Sequence, residues 1–200
     1  VIPSTNTNVM LNAVLEDGEI VEGESKIPKK NKKIRRVYLE PSNVEPMQEA
    51  VDALQEADLI VLGPGSLYTS VISNLCIEGI SKAIISSQAP KLYISNIMTQ
   101  PGETNDYDVY DHVKAIHQHA GEPFIDYVIC SNDAFDEQIL QRYKERNAHP
   151  VSTNKIKLTE NNIKMITSKN LVEIYDHVFV RHNTKVLAKL VYDLALELTS

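Results

Sequence analysis

Apolar and polar positions along the chain form two kinds of block, which together predict strands that alternate with helices. Short apolar runs bounded by polar or glycine-rich turns are typical of buried parallel strands, whereas apolar residues at three- and four-residue spacing indicate amphipathic helices. The predicted strands are 58–62, 91–98 and 126–132, with a weaker one at 171–175. The predicted helices are 42–57, 70–75, 77–86, 106–120, 135–146 and the segment that follows Thr184. Residues 151–167 fit neither pattern, although they have room for short strands.

The segment before residue 42 carries a different pattern, that of strands joined by tight turns. Apolar positions are dense over 9–15, and Asp17-Gly18 is the dipeptide typical of a two-residue hairpin turn. A return strand over 20–27 and a further strand over 34–39 would follow. The basic run over 29–36 is expected to be a solvated loop or edge strand, with attraction of an anionic ligand as the alternative.

The alternation of strands and helices predicts an α/β fold with a mostly parallel sheet. No internal repeat, low-complexity tract or linker divides the sequence, so we expect a single α/β domain over 1–200. The order of the strands within the sheet does not follow from the sequence alone.

Composition narrows the class of protein. The chain has 200 residues, 42% of them hydrophobic, a formal net charge of −7 and a pI near 5.4. The net negative charge argues against binding to nucleic acids or to membrane surfaces, because both kinds of binding favour basic patches on the protein. The only cysteines are Cys76 and Cys130, which favours free thiols in a reducing compartment. No apolar run approaches the roughly 20 residues that a membrane helix needs, so we expect a cytoplasmic protein without membrane insertion.

The strand at 58–62 runs into Gly63-Pro64-Gly65-Ser66, and this loop is the first candidate site. Glycines let the backbone approach a ligand closely, and Ser66, Thr69 and Ser70 add hydroxyl donors. Since the start of the following helix also offers unpaired N–H groups and a positive dipole end, we predict a phosphate here. A glycine-rich loop by itself is weak evidence of phosphate binding, so the alternative is a tight strand-to-helix turn that binds nothing.

Two further polar segments could complete this site. The loop Thr99-Gln100-Pro101-Gly102-Glu103-Thr104 follows the next strand, and ligands of open α/β sheets bind outside the carboxyl ends of strands, so both loops are expected to face one crevice. Arg181-His182-Asn183-Thr184 places a permanent cation just before a helix, and arginine can clamp a diphosphate. The alternative is a surface arginine with Thr184 as the helix cap.

The polar run 4–8 near the start of the chain is either a turn or a wall that contacts a base or sugar.

Several kinds of chemistry lack their motifs. None of the six histidines lies in a His-Glu-x-x-His or Cys-x-x-Cys arrangement, so a transition-metal site has no sequence support, and His117 is expected to be a core histidine. The loop at Gly63 is neither a nucleophile elbow nor a Walker loop, which excludes a P-loop NTPase and disfavours a hydrolase triad. Glu103, Asp106 and Asp133 could hold Mg²⁺ or act as a base, although such residues are more often loop or cap residues.

Four groups of motifs in the chain, in this order, resemble one family. They are Glu16-Asp17-Gly18 with Gly23-Glu24-Ser25-Lys26-Ile27, then Leu62-Gly63-Pro64-Gly65-Ser66-Leu67-Tyr68-Thr69-Ser70 with Asn74-Leu75, then Asn96-Ile97-Met98-Thr99-Gln100-Pro101-Gly102-Glu103-Thr104, and finally Val180-Arg181-His182-Asn183-Thr184. The chain is similar to the bacterial gluconeogenesis factor family, relatives of 2-phospho-L-lactate transferase.

The sequence departs from this family in two places. Ser73 stands where a proline is usual, and the family's opening strand, its Gly-Gly-Gly-Thr-Gly loop and its Asp-Asp element are not present. The chain is therefore expected to be the C-terminal two-thirds of a longer protein of about 320 residues, without part of the nucleotide site and without metal-holding aspartates.

The resemblance implies a Rossmann-like three-layer sandwich and a regulatory protein that binds a nucleotide-diphosphate sugar. UDP-N-acetylglucosamine is the expected ligand, and the function is linked to gluconeogenic carbon metabolism and cell shape, with no established catalytic activity and no catalytic residue. The alternative is a transferase of a phospholactyl-type group from a nucleotide-diphosphate carrier, the only case in which we expect Mg²⁺. A homodimer is left open.

Each predicted site residue has an expected role. The loop after the strand at 58–62 holds a phosphate, the residues at the end of the next strand orient the sugar or the second phosphate, and Arg181 neutralises the diphosphate with support from Thr184. The predicted ligand-binding residues are Gly63, Gly65, Ser66, Thr69, Asn96, Thr99, Gln100, Arg181 and Thr184.

Overall fold

The computed structural model describes residues 1–176 and 179–199 as three β-sheets with helices packed around them. The strands are β1 (Met10–Leu15), β2 (Ile20–Glu22), β3 (Ile34–Glu40), β4 (Ile60–Leu62), β5 (Lys91–Ile94), β6 (Tyr127–Ser131), β7 (Lys164–Ser168), β8 (Val172–Tyr175) and β9 (Phe179–His182). The helices are α1 (Gln48–Gln55), α2 (Ser73–Leu75), α3 (Glu78–Ser86), α4 (Val109–Ala120), α5 (Glu137–Lys144), α6 (Lys155–Glu160) and α7 (Thr184–Thr199). Two 3₁₀ turns, Glu24–Lys26 and Pro28–Lys30, follow β2, and a π-helical segment, Leu67–Ile72, precedes α2.

A parallel four-stranded sheet in the order β4-β5-β6-β7 lies at the centre and confirms the α/β prediction. Successive side chains of a strand point to opposite faces, so Tyr93 of β5 belongs to the main core with α3 and α4, whereas Leu92 packs with α7. Helices therefore cover both faces of this sheet, which is the three-layer arrangement expected of a Rossmann-like fold.

The N-terminal segment forms an antiparallel sheet in the order β2-β1-β3, as its turn signals predict. Gly18 adopts a φ of 87° in the hairpin turn, where the Leu15 N–H donates to the Glu19 carbonyl at 2.9 Å. The basic run is solvated, as expected, and two of its side chains, Lys30 and Lys32, form exposed ion pairs with the hairpin. The return strand is shorter than predicted, because it ends just before a glycine with positive φ and the two 3₁₀ turns.

Helix α1 begins at Gln48, so the predicted start at residue 42 and the placement of Pro46 inside the helix were wrong. The Met47 N–H donates to the Ser4 carbonyl at 2.9 Å, and Met47 itself is extended, with a φ of −67° and a ψ of 126°. Pro46 packs against α3 instead, since a Cβ added at Gly79 would lie 2.4 Å from Pro46 Cγ.

The C-terminal third contains elements that the pattern did not predict. Helix α6 lies in the stretch that fitted neither pattern, and the Asn154 side chain caps it by accepting from the Lys157 N–H at 3.3 Å. Strand β9 pairs with β8, so it owes its extended form to a partner that sequence periodicity does not identify. His177 and Val178, which precede β9, lie outside the described residues.

His117 has a structural role, as predicted. Its Nε2 accepts from the Ile125 N–H at 3.1 Å, and the neighbouring His119 accepts from the Val37 N–H in the same way. Burial lowers the pKa of His117 to about 4. The ring is therefore a neutral hydrogen-bond acceptor at neutral pH.

Candidate functional site

A cavity of about 640 Å³ opens at the carboxyl ends of β4 and β5. Six of the predicted ligand-binding residues line it together, although they come from three separate parts of the chain: Gly65, Ser66, Asn96, Gln100, Arg181 and Thr184. Carboxyl ends of parallel strands meet at one edge of a sheet, so the two polar loops become neighbours through the pairing of β4 with β5. We name this space the nucleotide cavity for the ligand class proposed below.

The first wall of the nucleotide cavity is built by the two loops, and a direct hydrogen bond joins them. The Asn96 Nδ2 donates to the Gly65 carbonyl at 2.8 Å, while the Asn96 Oδ1 is buried without a hydrogen-bond partner in the described part of the chain. The Ser66 carbonyl accepts from the N–H groups of Ser70 and Val71, which starts the π-helical segment. Such segments are rare and occur frequently at functional sites.

A carboxylate of the protein already occupies the start of this helical segment. Glu103, 2% exposed, accepts from the Tyr68 N–H at 3.0 Å and from the Thr69 Oγ1 at 3.1 Å. Burial raises the pKa of Glu103, although these hydrogen bonds oppose the shift. The Tyr68 N–H at the start of the helix and the Thr69 hydroxyl, which was predicted to contact a phosphate, therefore serve Glu103. The sequence had left Glu103 as a possible base, a metal ligand or an ordinary loop or cap residue.

Two other predicted site residues lie away from the nucleotide cavity. Thr99 is 4% exposed, and its Oγ1 accepts from the His149 N–H at 3.0 Å, so its hydroxyl ties two loops together. Gly63 lines a smaller cavity of about 290 Å³ beside β4, together with Val61. Neither residue is among those that line the nucleotide cavity in the described structure.

The β8–β9 hairpin forms the second wall of the nucleotide cavity, and contacts from β9 hold it to α5 and to the residue that follows β5. The Val180 N–H donates to the Tyr143 hydroxyl at 2.9 Å, and a ring nitrogen of His182 lies 3.2 Å from the Ser95 carbonyl. Among the described residues that line the nucleotide cavity, Arg181 is the only lysine or arginine. The hairpin thus places a permanent cation in the same cavity as the Gly65–Ser66 loop.

Sequence reasoning missed two aromatic residues that line the nucleotide cavity. Tyr143 has the spacing of an apolar position on α5, and Tyr175 ends the weakly predicted β8. Nothing in the sequence distinguishes them from core tyrosines, because Tyr175 reaches the cavity through the pairing of β8 with β9, and the Tyr143 hydroxyl reaches it by accepting from the Val180 N–H of β9.

Asn183, and not Thr184, caps the terminal helix. Its Oδ1 accepts from the N–H groups of Lys185 and Val186, both at 3.2 Å, and its own N–H donates to the Leu171 carbonyl at 2.8 Å. Thr184 is the exposed first residue of α7 and lines the nucleotide cavity. The capping role that the sequence assigned to Thr184 therefore belongs to its neighbour.

The cap assignment predicts different effects for two adjacent substitutions. Asn183→Ala leaves the first N–H groups of α7 without their acceptor, so we expect a loss of about 1 kcal/mol in the free energy of unfolding. Thr184→Ala is expected to cost less than about 0.5 kcal/mol. Urea unfolding followed by circular dichroism measures both, and a larger loss for Thr184→Ala would contradict the assignment.

A second cavity adjoins the nucleotide cavity and shares Ser66 and Gln100 with it. This acidic cavity, of about 540 Å³, is lined by Glu24, Ser25, Pro28, Ser66, Thr69, Gln100 and Glu103. A third cavity of about 450 Å³ shares Glu24 and Thr69 with the acidic cavity and includes Ser4 and Thr5 from the N-terminal polar run. That run also has a turn role, since the Thr7 N–H donates to the Thr5 hydroxyl at 3.0 Å.

The other candidate carboxylates have structural surroundings. Asp133 accepts from the Asn170 N–H at 2.7 Å and from the Val172 N–H at 2.9 Å, which ties β6 to β8. Asp106 lies in a turn with a φ of 62°. Within residues 1–176 and 179–199, no group of three or more His, Cys, Asp or Glu side chains is placed to hold a metal ion. None of the helices in the same ranges has the length and apolar character required to cross a membrane.

Comparison with known proteins identifies the family. Residues 1–171 match the family model described as 2-phospho-L-lactate transferase CofD. A gluconeogenesis factor of Bacillus subtilis is 41% identical over 197 residues, which cover 98% of this chain and 62% of that protein. A gluconeogenesis factor of Halalkalibacterium halodurans is 39% identical over 193 residues, covering 96% of this chain and 59% of that protein.

A solved structure agrees with the sequence comparison. A crystal structure of a UPF0052 family protein from Bacillus halodurans superposes with a TM-score of 0.90 at 40% identity and covers 96% of this chain and 61% of that one. The chain thus spans about three-fifths of the length of these relatives. The chain belongs to the 2-phospho-L-lactate transferase CofD family, within which it is similar to proteins named gluconeogenesis factor.

Proposed function

We propose that the nucleotide cavity binds a nucleotide-diphosphate sugar, UDP-N-acetylglucosamine, and that the protein is regulatory. One observation carries this proposal: Arg181 lines the same cavity as the Gly65–Ser66 loop at the carboxyl ends of two parallel strands. An arginine can contact two phosphate oxygens at once, and this end of an α/β sheet is where nucleotides bind.

The dimensions and lining of the cavity support a ligand of this size and chemistry. Its volume of about 640 Å³ is typical of the cavities that bind small molecules in proteins. Tyr143 and Tyr175 supply ring surface for a base or sugar, and Gln100 and Ser66 supply polar groups. This mixture matches a ligand that combines a planar base, two phosphates and a sugar.

The regulatory role rests on the relatives. Similar proteins carry the name gluconeogenesis factor, which is the basis for a role in carbon metabolism here. The link to cell shape, the cytoplasmic location and a homodimer remain predictions from the sequence.

Isothermal titration calorimetry with UDP-N-acetylglucosamine tests the proposal. We expect saturable binding at one site per chain, and no measurable binding of free N-acetylglucosamine, which lacks the diphosphate. Absence of binding by the nucleotide sugar would overturn the proposed function.

A transferase is the second candidate, because the matching family model is described by that activity. Such a reaction would be expected to use Mg²⁺, and Glu103, which the sequence offered as a residue that could hold this ion, is already engaged by three hydrogen-bond donors. We therefore expect no transfer when the protein is incubated with phospholactyl-guanosine diphosphate, a deazaflavin acceptor and Mg²⁺. Formation of the phospholactyl-deazaflavin product would reverse this ranking.

A further inference from the structure

The buried carboxylate of Glu103 joins two parts of the site that are separate in sequence, the helical segment after β4 and the loop that contains Gln100. It accepts from the Tyr68 N–H at 3.0 Å, the Thr69 Oγ1 at 3.1 Å and the Gln100 Nε2 at 3.0 Å. Burial raises the pKa of Glu103, but the Tyr68 N–H can only donate, and the hydrogen bonds from Tyr68 and Thr69 favour the ionised form of the carboxylate. Glu103 therefore connects the helical segment after β4 to the side chain of Gln100.

We propose that Glu103 sets the direction in which the nucleotide sugar binds, by positioning Gln100 and by excluding phosphate from the acidic cavity. The diphosphate then lies in the nucleotide cavity beside Arg181, and the uncharged sugar occupies the acidic cavity beside Glu103. This inference rests on the proposed function and adds the orientation of the ligand to it.

The two cavities differ in the charge of the side chains that line them. The nucleotide cavity contains Arg181 and no carboxylate among its described lining residues, whereas the acidic cavity contains Glu24 and Glu103 and no lysine or arginine among them. A phosphate in the acidic cavity would meet two carboxylates at short range, in surroundings that screen charge less than bulk water does. A diphosphate is therefore stabilised at the Arg181 end and repelled at the Glu103 end.

The acidic cavity offers the groups that a sugar requires. Hydroxyls of a pyranose donate to carboxylate and carbonyl oxygens and accept from serine and threonine hydroxyls, and Ser25, Ser66 and Thr69 line this space with the two carboxylates. Ser66 and Gln100 line both cavities, so they mark the place where the sugar would join the phosphate.

The hydrogen bond from Gln100 to Glu103 also fixes the direction of the Gln100 amide. An ionised carboxylate only accepts hydrogen bonds, so the amide must turn its NH₂ group toward Glu103. The Gln100 Oε1 is thereby left as an acceptor at the junction of the cavities. A sugar hydroxyl or an N-acetyl N–H can donate to that oxygen, and a phosphate cannot.

Titration calorimetry with three ligands tests the inference, because UTP carries a third phosphate where UDP-N-acetylglucosamine carries its sugar. We expect the wild-type protein to prefer the nucleotide sugar to UTP by about tenfold or more. Glu103→Gln is expected to weaken binding of the nucleotide sugar by about tenfold, to strengthen binding of UTP and to change binding of UDP by less than about twofold.

One further variant separates the charge of Glu103 from the position of its carboxylate, and another controls for the loss of a surface charge. Glu103→Asp keeps the charge and shortens the reach to Gln100, so we expect weaker binding of the nucleotide sugar and continued exclusion of UTP. Glu122→Gln removes an exposed charge that lines none of the cavities described, and we expect all three affinities to stay within about twofold of wild type. Thermal unfolding checks that each variant is folded.

The ways in which the inference can fail are distinguishable. If Glu103→Gln weakens all three ligands by one factor, or changes none of them, the inference is overturned, because a purely structural residue would act on UDP as well. If Glu103→Gln does not fold, the Glu103→Asp result decides: equal losses for UDP and the nucleotide sugar overturn the inference. A wild-type protein that binds neither UDP nor the nucleotide sugar overturns the proposed function itself.

Discussion

Arg181→Glu is expected to abolish binding of UDP-N-acetylglucosamine, with a loss in affinity of about 100-fold or more. The substitution removes charge-assisted hydrogen bonds, each contributing about 1.5–3 kcal/mol, and it puts a carboxylate where the diphosphate would lie. Because the Arg181 side chain is exposed, we expect little change in thermal stability. Titration calorimetry measures the affinity.

Arg35→Glu is the matched control, since it makes the same reversal on an exposed strand position that lines none of the cavities described. We expect its affinity to stay within about twofold of wild type. Arg181→Lys keeps the charge and loses the planar fork, so it is expected to bind with intermediate affinity. If Arg181→Glu binds as tightly as wild type, the assignment of Arg181 to the diphosphate is wrong.

Gly102→Ala is expected to lower the free energy of unfolding by about 3 kcal/mol or more. Gly102 has a φ of 83°, and a Cβ added there would lie 2.0 Å from the Pro28 carbonyl oxygen. Alanine adopts such a positive φ only with strain. The Pro28 oxygen belongs to the backbone of a 3₁₀ turn, so it cannot move aside as the end of a flexible side chain can. Urea unfolding followed by circular dichroism gives the free energy.

Gly121→Ala separates the backbone strain from the steric contact. Gly121 ends α4 with a φ of 97°, and an added Cβ there meets no atom within 4 Å. We expect it to cost about 1 kcal/mol. A loss for Gly102→Ala no greater than that for Gly121→Ala would show that the loop and the turn are not packed together.

The Gly102 contact explains why two of the recognisable motifs belong together. The turn that contains Pro28 follows the hairpin strand β2, and Gly102 lies one residue before Glu103. Close packing of these backbones places the 3₁₀ turn at Pro28 against the loop that supplies Gln100 and Glu103. The two 3₁₀ turns that follow β2 therefore contribute to the shape of the acidic cavity, although they lie outside the central sheet.

The pattern of apolar positions within short segments was sufficient to predict most of the secondary structure. The helix over 77–86 and the strand over 126–132 were predicted within a few residues, since burial of one face leaves a periodic trace in the sequence. The helix predicted over 106–120 ends where expected, because Gly121 adopts the left-handed conformation that favours glycine after a helix. The prediction failed at α6 and β9, whose conformations depend on a side-chain cap and on a partner strand.

The sequence by itself determined the fold class, the two polar loops and the cation near the C-terminus, because each depends on residue types within one short segment. Only the tertiary structure decided how these parts combine. It brought Gly65, Asn96 and Arg181 to one cavity through strand pairing, and it gave the donors at the helix start to Glu103. Contacts between residues tens of positions apart leave no periodic trace, so the charge pattern of the site becomes visible only once the chain is folded.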